Sequence, residues 1–208
     1  MAANPDRESP QALPTACMTK KLAKSLHNPE FHRDSCGFGL IANLDDLPSH
    51  RVVETAIAAL ERLTHRGAVA ADGKTGDGCG LLIKFPRAFL RAVAEEAGLS
   101  VSERFAAGTV FLSQNTSTAN AAKAVIDAAV TEVGLEVSGW RKVPVDKSAC
   151  GDRARETLPR IEQVFVNAPD KMPRGHFNRL LFLARRRAEN RVKDQDTYVA
   201  SLSSVTIS

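Results

Sequence analysis

The sequence is poor in cysteine and aromatic residues and has no long apolar run. Its 208 residues include four cysteines, none in a C-x-x-C pair and none spaced with the five histidines as zinc ligands. We therefore predict reduced thiols and no metal site. No apolar segment approaches the roughly 18 residues that a membrane-spanning helix requires. Residues 1–35 also lack the continuous apolar segment of a secretory signal, so we predict a cytoplasmic protein without membrane contact.

The chain also lacks a strong excess of either charge, with a formal net charge of +4. The densest basic cluster runs from Arg185 to Lys193, in a segment whose apolar residues recur at helical spacing. No aromatic residues are interleaved there to stack on bases, so we predict no nucleic-acid partner. A solvated helix face is the favoured interpretation of this cluster. The alternative is a binding module in which the basic helix contacts an acidic partner.

Most of the sequence alternates between strand and helix patterns. Residues 1–35 instead carry four prolines and no sustained apolar period, which predicts a leader without its own core. The predicted strands are 37–43, 81–85, 108–112, 135–143, 161–167 and 197–203. The predicted helices are 48–65, 86–97, 118–133 and 175–192. We expect the first strand to be buried, with the first helix packed on it. The mixture predicts α/β or α+β layers, and element order alone does not choose between them.

Glycine is concentrated in one segment, residues 66–80, which reads R-G-A-V-A-A-D-G-K-T-G-D-G-C-G. Its Gly73-Lys74-Thr75 imitates the end of a phosphate-binding loop. That loop needs four residues after its first glycine and lies between a strand and a helix. Here Gly67 and Gly73 enclose five residues, and a helix precedes the segment while a strand follows it. We therefore predict a loop whose glycines serve positive φ angles and close backbone approach.

Cys36 stands between the polar leader and the apolar run G-F-G-L-I-A. A cysteine beside a strand is most often an inert packed thiol. Here Gly37 and Gly39 allow other backbone to come close, and the leader has the features of a dispensable segment. If residues 1–35 are removed, Cys36 becomes the amino terminus. Its free α-amino group, with a pKa of roughly 7.7 to 8.0, can then take the proton of the thiol near neutral pH.

A cysteine–histidine hydrolase is a rival arrangement for the same nucleophile. It would use His65 or His32 as the base and would not depend on removal of the leader. Nothing in the sequence brings either ring to the sulfur of Cys36. This alternative therefore stays open at the level of sequence.

Five segments, in order, carry a family resemblance. They read D-S-C-G-F-G-L-I-A-N, L-T-H-R-G-A-V-A-A-D-G-K-T-G-D-G-C-G-L-L-I, L-P-R-I-E-Q-V-F-V-N-A-P, L-F-L-A-R-R-R and Y-V-A-S-L-S-S. The series resembles the amino-terminal glutaminase domain of the glutamate synthase large subunit, a class II glutamine amidotransferase. The resemblance implies an α+β fold, the αββα sandwich of N-terminal-nucleophile hydrolases. It further implies a leader or propeptide at 1–35 and a partial amidotransferase domain at 36–208.

The resemblance also assigns roles to residues. Cys36 is the implied nucleophile, with its α-amino group as the base after cleavage at Ser35, and Arg66 is implied to order the site. The implied substrate is glutamine. The implied partners are the remainder of the large subunit, which carries FMN and an iron–sulfur cluster, and its electron donor. No cofactor is expected in this chain itself.

Two segments of the family pattern are missing from the 208 residues. An R-F-S-T-like segment supplies the arginine that clamps the substrate, and H-N-G-E supplies the oxyanion hole; neither occurs here. We therefore expect an incomplete sandwich, with unpaired sheet edges and poor solubility. Whether the chain alone is an active enzyme stays open, because each oxyanion donor is commonly worth about 10² to 10³ in rate.

Overall fold

The computed structural model describes residues 37–63, 69–76 and 78–208. Its helices are α1 (His50–Arg62), α2 (Arg87–Glu96), α3 (Thr116–Glu132), α4 (Asp152–Glu156) and α5 (Arg174–Arg191), with a 3₁₀ turn at Lys147–Ala149. Its strands are β1 (Ile83–Lys84), β2 (Phe105–Leu112), β3 (Glu136–Lys142), β4 (Arg160–Asn167), β5 (Tyr198–Val199) and β6 (Thr206–Ile207).

The main sheet has four strands in the order β3-β4-β2-β5, and every neighbouring pair is antiparallel. Strands β2 and β4 pair along their full length, from Phe105 opposite Asn167 to Leu112 opposite Arg160. A register shift between Val137 and Gly139 marks a bulge in β3. The antiparallel pairing settles the class as α+β, which the order of elements had left open.

Helices α3 and α5 cover one face of this sheet. Because side chains alternate across a strand, Ala106, Val110 and Leu112 of β2 all project into this core. From α5 the core receives Phe177, Leu181, Ala184 and Ala188. These four recur at i, i+4, i+7 and i+11, so the predicted apolar stripe of the basic helix is confirmed.

A buried carboxylate lies at the margin of the same core. The Glu162 side chain is 2% exposed, and one of its oxygens accepts from Lys123 Nζ at 2.8 Å. Arg160 pairs with its other oxygen. The Lys123 ammonium also lies 4.9 Å from the centre of the Trp140 ring, and Trp140 Nε1 donates to Asp127 Oδ1 at 2.8 Å. Two cations thus compensate the charge of Glu162.

The opposite face of the sheet carries a second, smaller core. Phe105 and Phe165 project there and pack with Leu90 of α2 and Ile207 of β6. Strand β6 pairs with β1, Ile83 opposite Ile207, as a separate two-stranded sheet. No pattern in the sequence predicts β6, because a two-residue strand is too short to show a period.

Two predictions about the start of the described chain are wrong. Residues 37–43 form no strand, and their apolar side chains are not buried, with Phe38 95% and Leu40 90% exposed. Helix α1 forms as predicted, but it has no buried residue and no strand before it on which to pack. Periodicity predicts which face of a helix is apolar. It does not show that another segment lies there to cover it.

The other element predictions hold with shifted bounds. The last predicted strand, 197–203, is ordered as β5 followed by an isolated bridge between Ser203 and Ala107. The predicted strand at 81–85 contracts to the two residues of β1. Among the described residues, no helix combines the length and apolarity needed to cross a bilayer.

Candidate functional site

The residues predicted to form the catalytic site lie outside the described part of the chain. They are Ser35, Cys36 and Arg66, together with the alternative bases His32 and His65. The leader predicted at 1–35 lies outside it as well. What the structure describes is the glycine-rich segment next to Arg66, over residues 69–76 and 78–80, and the surface on which that segment packs.

Residues 69–76 form a tight hairpin. Val69 and Gly76 form a bridge, Ala70 N donates to Thr75 O at 2.7 Å, and Gly73 N donates to Ala70 O at 3.0 Å. Gly73 has φ +68°, a conformation that costs glycine little and most other residues more. The prediction that a glycine here serves a positive φ is therefore confirmed. The hairpin lies after α1 and before β1, the reverse of a phosphate-binding loop, as the sequence predicted.

Asp72 holds the hairpin closed from inside. Its carboxylate accepts from Thr75 Oγ1, from Thr75 N at 2.8 Å and from Lys74 N at 3.0 Å. The Thr75 hydroxyl, followed by these backbone N–H groups, holds the pKa of Asp72 well below its usual range. The hydrogen bonds favour the ionised form. The D-G-K-T spacing is typical of such a turn, in which an aspartate bonds to backbone two and three residues on.

The hairpin packs on the segment that begins α4. Ala154 N donates to Thr75 Oγ1 at 3.4 Å, so the threonine hydroxyl joins the two segments. Gly151 lies directly against Asp72 and Thr75, and a Cβ added at Gly151 would overlap Thr75 Oγ1. Sequence analysis did not identify this contact. Thr75 and Gly151 are far apart in the chain, and neither has a local signal for the other.

A cleft of about 680 Å³ opens beside this contact. Its lining combines Thr75 and Gly76 of the hairpin with α4 and the residues after it, including Arg153, Glu156 and Thr157. Hydroxyl, guanidinium and carboxylate groups give this shallow wall both hydrogen-bond donors and acceptors, beside the apolar Leu158 and Pro159. In the part of the chain that the structure describes, no group of three or more His, Cys, Asp or Glu side chains is placed to hold a metal ion.

The described cysteines differ in exposure. Cys79 is exposed in the glycine-rich segment, and Cys150 is half-buried next to Gly151. Both are free thiols, as the sequence predicted for these two positions. This exposed thiol, three residues after the hairpin, is a useful internal comparison for any reagent directed at Cys36.

The basic cluster at 185–193 lies mainly on the outer side of α5. Arg185 and Arg186 pair with Glu189 of the same helix, at 2.7 and 2.8 Å. Arg191 pairs with Glu132 of α3 at 2.6 Å, and Arg187 lies 3.7 Å from the same carboxylate. The arginines therefore serve partly to join α5 to α3. Arg186, Arg187, Arg191 and Lys193 are nevertheless exposed, which agrees with the interpretation of the cluster as a solvated helix face.

Comparison with known proteins gives consistent relatives. Over 188 residues, 89% of the chain, it is 38% identical to the NADPH glutamate synthase large chain of Bacillus subtilis (strain 168). It is 37% identical, over 97% of the chain, to ferredoxin-dependent glutamate synthase 1, chloroplastic/mitochondrial, of Arabidopsis thaliana. It is also 37% identical, over 87% of the chain, to the NADPH glutamate synthase large chain of Azospirillum brasilense. The chain spans 12% of the length of each.

The predicted resemblance to the glutamate synthase amidotransferase domain is therefore confirmed. A family model of the class-II glutamine amidotransferases matches residues 36–208, which is most of the sequence and begins at the cysteine identified from its position. The chain belongs to the class-II glutamine amidotransferases.

Proposed function

We propose that this chain carries the glutaminase nucleophile of a glutamate synthase large subunit, with Cys36 as the attacking thiol. The observation that carries the proposal is the family match over 36–208, whose first residue is Cys36. The relatives named above are glutamate synthases, and each matches most of the chain. In this proposal residues 1–35 are a propeptide and residues 36–208 are part of the amidotransferase domain.

Removal of the propeptide creates the base. While Ser35 is attached, the nitrogen of Cys36 is an amide without useful basicity. After cleavage of the bond between Ser35 and Cys36, that nitrogen is a free amine that titrates near neutral pH. It takes the thiol proton, directly or through one water, and the thiolate becomes a strong nucleophile. Cleavage therefore switches the site on.

The chemistry proceeds in two steps on the glutamine side chain. The Cys36 thiolate adds to the carboxamide carbon, the protonated α-amine returns the proton to the leaving nitrogen, and ammonia departs. A glutamyl thioester remains on Cys36. Water, deprotonated by the same amine, then attacks the thioester carbon and releases glutamate and the free thiol. The reaction is a hydrolysis and requires no oxidant or reductant.

Two parts of the site are not supplied by any segment of these 208 residues. The R-F-S-T-like substrate clamp and the H-N-G-E oxyanion segment do not occur in the sequence. Preorganised oxyanion donors are commonly worth about 10² to 10³ in rate each, and a clamp supplies orientation besides. We therefore expect the chain alone to hydrolyse glutamine slowly, although its thiol can still be activated.

In this proposal the hairpin at 69–76 supports the site-ordering role implied for Arg66, which precedes it in the sequence. The Asp72 hydrogen bonds close the hairpin, and Gly151 and Ala154 fasten it to α4. A loop held at several points loses less entropy on binding a substrate. This contact is the structural support for a site-ordering role of the H-R-G segment.

We also propose that the fold is part of an αββα sandwich. In support, the main sheet has helices α3 and α5 on one face, and the β1–β6 pair together with helix α2 on the other. The β1–β6 pair is then the start of the second sheet, and α2 belongs to the second helical layer. The second sheet would rest on the smaller core around Phe105 and Phe165.

The remaining partners and location are proposals of the same kind. We propose that the ammonia serves the rest of a glutamate synthase large subunit, which would bind FMN, an iron–sulfur cluster and an electron donor. We propose a cytoplasmic location because residues 1–35 lack the apolar segment of a secretory signal. We propose that the chain contacts neither nucleic acid nor a membrane directly.

The first experiment is intact mass and amino-terminal sequencing of the purified chain. We expect it to start at Cys36. Treatment with a glutamine analogue that carries an electrophilic carbon at the amide position should then add one label per chain, at Cys36. A start at Met1 or Ala2 would contradict the proposal, because the α-amino base would never form.

Two variants test whether the labelling is specific to Cys36. Cys36→Ala should abolish the label, whereas Cys79→Ala, which removes an exposed thiol of the same region, should retain it. Equal labelling of both variants would show nonspecific alkylation and would contradict an activated Cys36. Adding the clamp and oxyanion segments of a relative should raise glutamine hydrolysis, and Cys36→Ala should again abolish it.

A further inference from the structure

The positive charge of the chain is concentrated on helix α5. Residues 174–191 contain six arginines and one glutamate, a formal net charge of +5. The whole chain has a net charge of only +4, so outside α5 the charges nearly cancel. Such a concentration on one element creates a local positive field that attracts acidic partners.

Apolar side chains lie on the outer face of the same helix. Phe177 and Leu181 point into the core and are at most 1% exposed, whereas Phe182 is 60% and Leu183 40% exposed. Arg179 precedes Phe182 by three residues and Arg186 follows it by four, spacings that make side chains neighbours on a helix surface. Both arginines are exposed. Phe182 therefore lies on one stripe of the helix between Arg179 and Arg186, and the Arg186 guanidinium is paired with Glu189.

Contacts within the chain leave much of this charge uncompensated. The two carboxylates of Glu189 and Glu132 form ion pairs with four arginines of α5. Over the described ranges, no carboxylate lies within ion-pair distance of Arg179, which is the cation next to Phe182. The outer face thus offers an apolar centre with Arg179 at one end and Arg186, which is paired with Glu189, at the other.

We propose that this outer face, the α5 patch of Arg179, Phe182, Leu183 and Arg186, binds an acidic protein segment that presents an apolar side chain between carboxylates. Arginine and aromatic residues are enriched in protein interfaces, whose centres are apolar and whose rims are polar. Charge complementarity accelerates encounter and fixes the register of the partner. The site is independent of Cys36 and so goes beyond the proposed function.

Two other classes of ligand fit the patch less well. Single-stranded nucleic acid binds proteins through several aromatic side chains that stack on successive bases, and α5 exposes one aromatic residue. A membrane-surface helix needs a broad apolar face for insertion, but the main apolar face of α5 is already buried against the sheet. Two exposed apolar residues are enough for a small protein contact.

The test uses the full chain and a fluorescent helical peptide of about five turns. The peptide carries a leucine with glutamates three residues before and four residues after it. Its control has the same composition with the leucine moved to the opposite face. We expect fluorescence anisotropy to show about tenfold tighter binding of the first peptide. Added salt should weaken that binding, because screening shortens the reach of the charges.

Matched variants locate the site. Phe182→Ser and Arg179→Glu should each weaken binding about tenfold. Phe89→Ser, which removes a ring that is 59% exposed on α2, and Arg62→Glu, at an exposed position of α1, should leave binding unchanged. Circular dichroism should show equal helix content in all four variants.

Several results would overturn the proposal. The patch would be a purely electrostatic surface if polyglutamate or the control peptide bound as tightly as the designed one. Tighter binding of duplex DNA or of phosphatidylserine vesicles would assign the patch to another class of ligand. Unchanged peptide affinity in Phe182→Ser would show that the apolar centre of the patch does not contribute to binding.

Discussion

At the scale of single residues, two positions show how a residue type follows from its surroundings. Gly151 has φ −68°, which any residue adopts, so backbone conformation does not require glycine there. The requirement is space, because Asp72 and Thr75 lie against its α-carbon. Asp127 is half-buried, and its carboxylate accepts from Trp140 Nε1. Both features depend on contacts between distant parts of the chain.

Gly151→Ala should loosen the packing of the hairpin on α4. The added methyl group overlaps Thr75 Oγ1, and overpacking of this kind typically costs about 1–3 kcal/mol. We expect a lower free energy of unfolding and faster amide hydrogen exchange at Thr75 and Ala154. Gly175→Ala is the matched control, because nothing lies within 4 Å of its position. Equal stability and exchange in the two variants would show that the contact at Gly151 is not tight.

Asp127→Asn should stabilise the protein at neutral pH. Burial raises the pKa of the Asp127 carboxyl, against the opposing effects of the Trp140 hydrogen bond and the Lys123 charge. A carboxyl with a higher pKa in the folded state takes up protons on folding. Its contribution to stability is therefore fully present below its unfolded pKa and is lost as pH rises through the folded value. At pH 7 the parent chain buries the charged form, which the amide variant avoids.

The measurement is urea unfolding at pH 7 and pH 4, followed by fluorescence of the single tryptophan, Trp140. We expect the variant to exceed the parent in free energy of unfolding at pH 7. The difference should shrink at pH 4, where the parent carboxyl is increasingly protonated. Asp170→Asn, at an exposed position, controls for the loss of one negative charge. A gain that does not change with pH would contradict the explanation.

At the scale of elements, local signals place the helices and strands well, but not their partners. Helix α3 begins after Asn115, whose side chain accepts from Ser117 N at 2.9 Å and Thr118 N at 3.1 Å. Helix α1 begins after Ser49, which makes no such bond. Both starts were predictable to within two residues, because capping and apolar period are properties of neighbouring residues. That α1 lacks a buried face was not predictable in this way.

Asn115→Ala should therefore destabilise α3, whereas Ser49→Ala should have little effect on α1. Loss of a capping side chain leaves backbone N–H groups without their protein acceptor and typically costs about 0.5–2 kcal/mol. Because α3 packs into the main core, that cost should be seen in the global free energy of unfolding. Ser49→Ala removes no hydrogen bond, so its effect should stay within about 0.5 kcal/mol. Urea unfolding of both variants tests the difference, and equal effects would contradict it.

At the scale of the whole molecule, the described residues include a well-packed region around the main sheet and one segment, residues 37–47, whose apolar side chains are exposed. The cores on the two faces of the main sheet contain Phe105, Phe165 and Phe177, all fully buried. Residues 37–47 instead expose five large apolar side chains, namely Phe38, Leu40, Ile41, Leu44 and Leu47. Monomeric proteins rarely expose so many apolar side chains in one segment, which here predicts self-association.

Replacing two of these residues should reduce that association. Phe38→Ser with Leu44→Ser removes side chains that are 95% and 103% exposed, so the folded core is not disturbed. We expect weaker binding of an apolar dye and less concentration-dependent association in sedimentation, with an unchanged melting temperature. The control, Leu82→Ser with Phe89→Ser, removes exposed apolar residues outside the segment. If both double variants behave alike, the segment has no special role.

The glycine-rich segment has features that the sequence predicts and one contact that it does not. Five motif segments in order, including those around Arg66 and Cys36, were sufficient to identify the family resemblance, because a motif is a local string of residue types. The turn made by Asp72 and Thr75 was also implicit in its spacing. The contact of this turn with Gly151 was not predictable, because a steric contact between two distant segments produces no pattern in the sequence of either one. The same holds for the pairing of Glu132 with Arg191.

The sequence by itself determined where most helices and strands form, and which family the chain resembles, since both depend on residues close together in the chain. Only the tertiary structure decided the antiparallel order β3-β4-β2-β5, the pairing of β1 with β6 and the exposure of residues 37–43. Burial and strand pairing depend on which distant segment supplies the other surface. Apolar residues such as Phe38 favour burial, but they are buried only where such a surface is present.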